Sequence, residues 1–439
     1  MELSWFSLQS LGGILAVLAF GVLCLSDLRR GVIAFTAAGC IRSVQIGAFG
    51  GGESVQGLFL VEALASAMFV AWLLTRGRRP IRSVAFNTPL LLFLPISVLS
   101  LIFGFMEYDP AIAVDHMKLS VSLGQILVTM WPIATYLVVA NAVHDTKTIN
   151  TIRTVIVVLA LPSMVLMVEP GAWDYVKWST SFALPASSFC FAKCLETPSI
   201  ARKAGLLLVT VAPAIYGLEL GKAFYYGYVL VSAAIILWLA APKVATALIP
   251  IVLAVYVVTV PVASNSLMPG FLNQLVDEEE KQQSLGGPAG RDQLIRDGLG
   301  IWSRAPVLGV GPGNNYPYML RYSSIGTAHN QFVNILIELG AIGLVCFLVF
   351  AYLALRLGLT LWRTARVPSH RTLVLGWLGM FGGFFVGGFY GDFMLPSIRN
   401  YGLELFAEFY VQWIVLGLIV SAAAIERRYR TGASTYVYA

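Results

Sequence analysis

The sequence predicts an all-α polytopic membrane protein with about 12–13 transmembrane helices. Three observations predict it. Of 439 residues, 58% are hydrophobic and only 12% charged, with a mean hydropathy of +0.77, whereas soluble chains carry about a quarter charged residues. The apolar runs are roughly 17–24 residues long, enough for a helix to cross ~30 Å of hydrocarbon, and they do not alternate as barrel strands do. Lysine and arginine concentrate in every second loop, the pattern of the positive-inside rule.

Candidate spans lie near residues 8–26, 31–50, 55–75, 86–105, 119–142, 152–169, 180–197, 204–220, 227–242, 244–264, 329–355, 372–391 and 403–424. The second is the weakest because it contains Arg42, and 227–242 is parted from 244–264 only at Pro242-Lys243. One set of alternate loops holds Arg29, Arg30, Arg76, Arg78, Arg79, Arg82, Lys147, Arg153, Arg202, Lys203, Lys243, Arg356, Arg363, Arg366 and Arg371, and the tail adds Arg427, Arg428 and Arg430. That side is expected to be cytoplasmic, so the N-terminus and the long 265–328 loop face outward. The start, MELSWFSLQS, has no positively charged n-region, so the first helix is expected to be retained. The chain divides into an N-terminal bundle, 1–264, the large loop, 265–328, and C-terminal transmembrane helices, 329–439. Its net charge of +6 reflects membrane topology and implies no nucleic-acid partner. All five cysteines fall in apolar spans, as packed thiols do.

Within the large loop, Asp277-Glu278-Glu279-Glu280-Lys281 reads as a solvated face, and 286–290 (GGPAG) breaks the chain. RDQLIRDGLGIWSR (291–304) is helix-periodic. Leu294, Ile295, Leu299, Ile301 and Trp302 share one side at 100° per residue, and Arg291 falls within that apolar arc. A guanidinium there needs a partner: it either snorkels to water or a lipid phosphate, or contacts an anionic substrate bidentately. Gly309, Gly311 and Gly313 with Pro312 and Pro317 make a tight irregular loop. It is not a dinucleotide fingerprint, since no strand precedes it and no βαβ unit exists. Arg321 and Tyr316, Tyr318 and Tyr322 lead to Thr327, a candidate N-cap. Next comes AHNQFVNILIELG, with His329 at the rim of a membrane helix and Asn330, Asn334 and Glu338 on one face at four-residue steps; Asn334 and Glu338 read as packing and support rather than catalysis. Gly379, Gly383, Gly387 and Gly391 form a small-residue ridge, with Asp392 at its outer end. Glu107-Tyr108-Asp109 is a weak acidic pair of the kind that holds a divalent metal, but no partner carboxylates follow, so neither metal nor cofactor is expected. His116, His144 and His370 look ordinary.

G-R-x(10)-W, then P-V-L-G-V-G-P-G-N, then A-H-N-Q-F-V-N-I-L-I-E-L-G-A-I-G-L, resembles the O-antigen ligase and polymerase superfamily of bacterial membrane glycosyltransferases, most densely over about residues 290–345. The resemblance implies a GT-C-like enzyme of the bacterial inner membrane. It would take a glycan from an undecaprenyl-diphosphate carrier and join it, at the outer (periplasmic) face, to an acceptor sugar on a glycan or on lipid A core. The family's loop-helix arginine falls on Arg291 and its HN histidine on His329. Where the family tends to carry another arginine just outside the membrane, this chain offers Lys222, a point charge rather than a planar fork.

The residues themselves suit that chemistry. A lipid diphosphate carries its charge at the interface, where Lys222, Arg291 and Arg321 can clamp it and stabilise the leaving group. An acceptor hydroxyl needs a base or an orienting partner, and His329, with an ordinary pKa of about 6.5, suits that task. Arg291 and His329 are the candidate catalytic residues; Lys222, Arg321, Asn330 and Tyr316 are the candidate substrate-binding residues. Ligase and polymerase need the same site. A polar-lipid transporter or flippase, or a non-enzymatic assembly protein, are the competing classes; the sequence shows no convincing internal repeat of the transporter kind.

Overall fold

The computed structural model describes residues 5–38, 45–49, 56–77, 80–107, 109, 119–166, 182–219, 223–247, 288–321, 326–389, 391, 394–395 and 406–431. In chain order these form α1 (Trp5–Ser26), α2 (Leu28–Ala38), β1 (Gln45–Phe49), β2 (Gln56–Phe59), α3 (Leu60–Arg76), α4 (Asn87–Met106), α5 (Leu119–Ala142), α6 (Thr146–Leu166), α7 (Ala183–Glu196), α8 (Ile200–Glu219) and α9 (Ala223–Ala240), then α10 (Pro288–Trp302), α11 (Asn315–Leu320), α12 (Gln331–Thr364), α13 (Pro368–Gly387) and α14 (Phe406–Thr431). The protein is an all-α polytopic membrane protein. Among the described residues α4, α5, α12 and the Phe409–Thr431 part of α14 are each long and apolar enough to cross a bilayer.

Two of the expected spans, 31–50 and 55–75, are not helical throughout: the second opens on β2 before α3 begins. Within 31–50, α2 ends at Ala38 and β1 occupies Gln45–Phe49, paired antiparallel with β2 from Gln45↔Phe59 to Phe49↔Gln56. Gly47 and the Gly50-Gly51-Gly52 run favour a turn over helix propagation, and backbone polar groups that leave a helix need another ladder.

The helices pack as a bundle: α13 lies against α9 and α7, α14 against α5, α12 against α4 and α13, and α1 against α3. The glycine ridge of α13 sets the α9 contact. A Cβ at Gly379 would sit 2.6 Å from Ile236 Cδ1, and one at Gly383 2.6 Å from Ser232 Oγ, so both positions require the bare backbone. Leu91, Leu92, Val98, Leu99 and Ile102 of α4 and Ile342, Val345, Leu348 and Val349 of α12 point outward, an apolar surface suited to lipid.

The arginine-rich loops meet at one end of the bundle. Arg82 Nη1 donates to the carbonyls of Ala140 (2.6 Å) and Val143 (2.9 Å), capping α5, and also to Ser421. Arg153 reaches Ser369 O, and the Arg366 and Val367 amides donate to Glu426. Burial, reinforced by nearby Arg428, lowers the Arg82 pKa to about 10.

At the end away from these arginines α12 is interrupted. Its 34 residues would run about 51 Å, well beyond the bilayer core, and Gly340 breaks the helix with φ 66° and ψ −168°. The segment 306–311 fills the break. Val310 N–H donates to Ile337 O (2.8 Å) and Gly311 N–H to Glu338 O (3.1 Å), while Ala341 N–H donates to Pro306 O (2.9 Å) and Ile342 N–H to Val307 O (3.3 Å). Ser100 of α4 adds a hydroxyl bond to Glu338 O at 2.5 Å. The glycines follow from this fit. A Cβ on Gly340 would lie 2.2 Å from Val307 O, one on Gly309 2.5 Å from Ile337 O, and one on Gly104 2.2 Å from Val310 O.

Replacing Gly340 by alanine therefore combines a left-handed φ with a backbone clash. It should cost at least ~1–3 kcal/mol, read as a lowered thermal midpoint in detergent and faster hydrogen exchange over 306–311. Gly205→Ala, where a Cβ meets nothing within 4 Å, should be neutral or stabilising by up to about 1 kcal/mol. Equal behaviour of the two variants would contradict the packed break.

Candidate functional site

The inserted segment fixes where α10 lies. Its Leu294 and Ile301 are buried in a cluster with Ala305, Val310, Tyr318, Met319, Ala328, Val333 and Ile337. Gly298, which the apolar arc of the sequence omitted, is the point of closest approach: a Cβ there would sit 2.6 Å from Val333 Cγ1, 3.2 Å from Ile337 Cδ1 and 3.4 Å from Ala328 Cβ. Leu299, expected on the buried arc, is exposed, and Trp302 bonds Pro306 O through its indole N–H at 2.9 Å. Arg291 lies in the first turns of α10, seven residues before Gly298, and so on the same helix face. Its side chain lies outside the described residues. This helix packs through Leu294, Gly298 and Ile301 along Ala328, Val333 and Ile337.

Residues 326–330 form the turn that carries the histidine. His329 has φ 47°, the one non-glycine left-handed residue among those described, a conformation that persists when its surroundings over-determine it. Thr327 Oγ1 accepts the His329 N–H (3.2 Å) and an N–H of the Asn334 carboxamide (3.1 Å), and Asn334 Oδ1 accepts the Ala328 N–H (3.2 Å). The N-cap of α12 is Asn330, not Thr327: Asn330 Oδ1 accepts the Phe332 and Val333 amides at 3.0 and 3.2 Å, and its Nδ2 reaches Phe389 O. Asn330 is therefore engaged with backbone, and Asn334 with the Ala328 amide and the Thr327 hydroxyl. Gln331 adds a tie: its N–H donates to Gly388 O (2.8 Å) and its Oε1 accepts the Met394 N–H (2.9 Å), anchoring the C-terminal end of α13. Tyr316, half-buried, lies against Gly326, where a Cβ would meet its ring at 1.9 Å; it buttresses the turn.

Arg321 sits at the C-cap of α11 and donates to Asp109 Oδ2 at 2.8 Å, while Arg304 donates to the same oxygen at 3.1 Å. Sequence reading singled out Asp109 as a weak metal ligand and passed over Arg304. The structure joins Asp109 to both guanidiniums, tying the α4 end to the large loop across about 200 residues of chain. Both arginines are more than a third exposed, so the pairs contribute at most about 1 kcal/mol each. Lys222, Asp392, Tyr108 and His116 lie outside the described residues. His144 and His370 lie at the far, arginine-rich end, where His144 meets Arg82 and buried His370 bonds Glu426 (3.0 Å) and Thr146 (3.1 Å). Cys24, Cys190, Cys194 and Cys346 are free thiols.

Residues 207–348 match the family described as O-antigen ligase. This segment takes in α9, the Arg291 helix, the inserted glycine loop and the His329 turn. No curated protein matches the chain at a significant level.

Removal of the α12 cap should register locally. Asn330→Ala is expected to cost about 1 kcal/mol, within the ~0.5–2 range for lost caps, and Asn330→Ser to recover most of it, as measured by thermal unfolding in detergent. Equal midpoints for the alanine and serine variants would remove the cap assignment.

Proposed function

Residues 207–348 support assignment to the O-antigen ligase superfamily, and on that premise we propose that the protein is an inverting, metal-independent glycosyltransferase. It takes a glycan from an undecaprenyl-diphosphate carrier in the bacterial inner membrane and passes it to an acceptor sugar at the outer face. The observation that carries this reading is the packing of the Arg291 helix against the His329 turn, with Gly298 closing on Ala328, at the outer rim of α12. On this reading the arginine-bearing helix and the imidazole work together at the lipid boundary, where a diphosphate headgroup resides.

In this reading the acceptor hydroxyl attacks the anomeric carbon from the face opposite the diphosphate. The new C–O bond forms as the bond from that carbon to the diphosphate oxygen breaks, with inversion. The hydroxyl proton goes to His329, as base or through its hydrogen bond to the acceptor, and from there to water. The negative charge gathering on the departing diphosphate is met by Arg291 together with Lys222. Arg321 belongs to the same basic rim, held by Asp109; its contact with donor, and those of Asn330 and Tyr316, follow from proximity to the turn. A ligase acting on lipid A core and a polymerase extending another lipid-linked chain use these same groups; the ligase is the first reading because the matched family bears that description.

Arg291→Ala and His329→Ala in the full chain, assayed in membrane vesicles with the cell's own lipid-linked glycan, should each lower release of undecaprenyl diphosphate by about 10²-fold or more. Arg291→Lys should retain part of the activity, since charge survives without the planar fork. Undiminished transfer by folded Arg291→Ala and His329→Ala proteins would end the proposal.

A further inference from the structure

Asn334 and Thr327 are both buried, at 4% and 0% exposure; they bond each other through their side chains, and between them accept the main-chain amides of Ala328 and His329. The Asn334 carboxamide uses its two ends at once: Oδ1 takes the Ala328 N–H and Nδ2 bonds Thr327 Oγ1. Because Ala328 N–H is a donor, the amide orientation is fixed, with nitrogen toward the threonine. Thr327 Oγ1 then also takes the His329 N–H. Asn334 is itself set in register by its own N–H to Asn330 O at 2.9 Å, within the first turn after the cap. The result is a closed relay, from helix to Asn334 to Thr327 to His329, ending on the left-handed residue of the turn.

Resting on the transfer role of His329, we propose that Asn334 and Thr327 are positioning residues that hold the His329 main chain in its left-handed conformation, and so place the imidazole for transfer. Neither touches substrate. Loss of either lets the turn relax to ordinary backbone angles, and a base displaced by about 1 Å loses on the order of 10²-fold in rate.

The test uses the full chain in membrane vesicles, with the undecaprenyl-diphosphate-linked glycan extracted from the producing cells as donor, reading turnover and apparent KM. Asn334→Ala and Thr327→Val should each lower turnover by about 10²-fold with the apparent KM for donor unchanged. Thr327→Ser, which keeps the hydroxyl, should remain near the parent. Added to His329→Ala, Asn334→Ala should take away nothing further, because its effect passes through the imidazole. Full turnover of Asn334→Ala and Thr327→Val, or an Asn334→Ala loss that multiplies with that of His329→Ala, overturns the inference while leaving the role of His329 standing. Should Asn334→Ala fail to fold, the Thr327→Val and Thr327→Ser pair reads the same relay. A fully active His329→Ala overturns the underlying reading instead, and the inference with it.

Discussion

The half of the molecule away from the arginine-rich loops depends on one constraint: a broken membrane helix must find partners for the backbone groups it frees. An unpaired carbonyl or amide in an apolar setting costs several kcal/mol. At Gly340 the carbonyls of Ile337 and Glu338 and the amides of Ala341 and Ile342 lose their places in the α12 ladder, and residues 306–311 supply all four partners. The large loop is therefore stitched into the bundle by main chain, not draped over it. This explains why the glycines of the PVLGVGPGN run are needed. Gly309 of that run, with Gly340 of α12, lets two backbones meet at a distance that any Cβ would forbid.

From that stitch the site follows. Once Pro306 and Val307 are pinned to Ala341 and Ile342, α10 has little choice but to lie along α12. Gly298 lets it come close, and Leu294 and Ile301 seal the contact. The helix that begins near Arg291 and the turn that carries His329 become neighbours although 38 residues part them in the chain. The ion pairs of Asp109 with Arg304 and Arg321 act at the other end of the loop. Being half in water, they orient the chain more than they stabilise it.

Much of this was legible in the sequence, and what was not has physical reasons. Hydropathy and run length gave the long spans α4, α5 and α12, and the placement of arginine anticipated the single end where Arg82, Arg153 and Arg366 gather. The 3.6-residue period over 291–304 gave α10. The hairpin of β1 and β2, which straddles the expected spans 31–50 and 55–75, was hidden because apolar strands and apolar helices look alike over short runs; Arg42 and the glycines were the only warning. Gly298 was passed over because a wheel scores side chains, and its contribution is the absence of one. Thr327 and Asn330 are both good caps by type; the choice fell to Asn330 because Asn334 and His329 claim the threonine hydroxyl, a contact that folds back across the helix start. The Arg304–Asp109–Arg321 tie joins positions too distant for any local pattern to expose.

The polar stripe of Asn330, Asn334 and Glu338 suggests at first sight a substrate track or an ion path down the helix. Its observed uses argue otherwise. Asn330 closes the helix end, Asn334 locks the preceding turn, and Glu338 lends its carbonyl to Gly311 and Ser100. The two asparagine side chains, and the main-chain carbonyl of Glu338, all bond the chain's own scaffold. A transporter would be expected to keep such groups, near the bilayer midplane, for a passing solute. Here the stripe builds a rigid ledge at one rim, on which His329 is held in a conformation that an unsupported turn would not choose. A ledge of that kind serves a reaction at the membrane boundary, where lipid-borne and water-borne partners meet, better than it serves passage across the membrane.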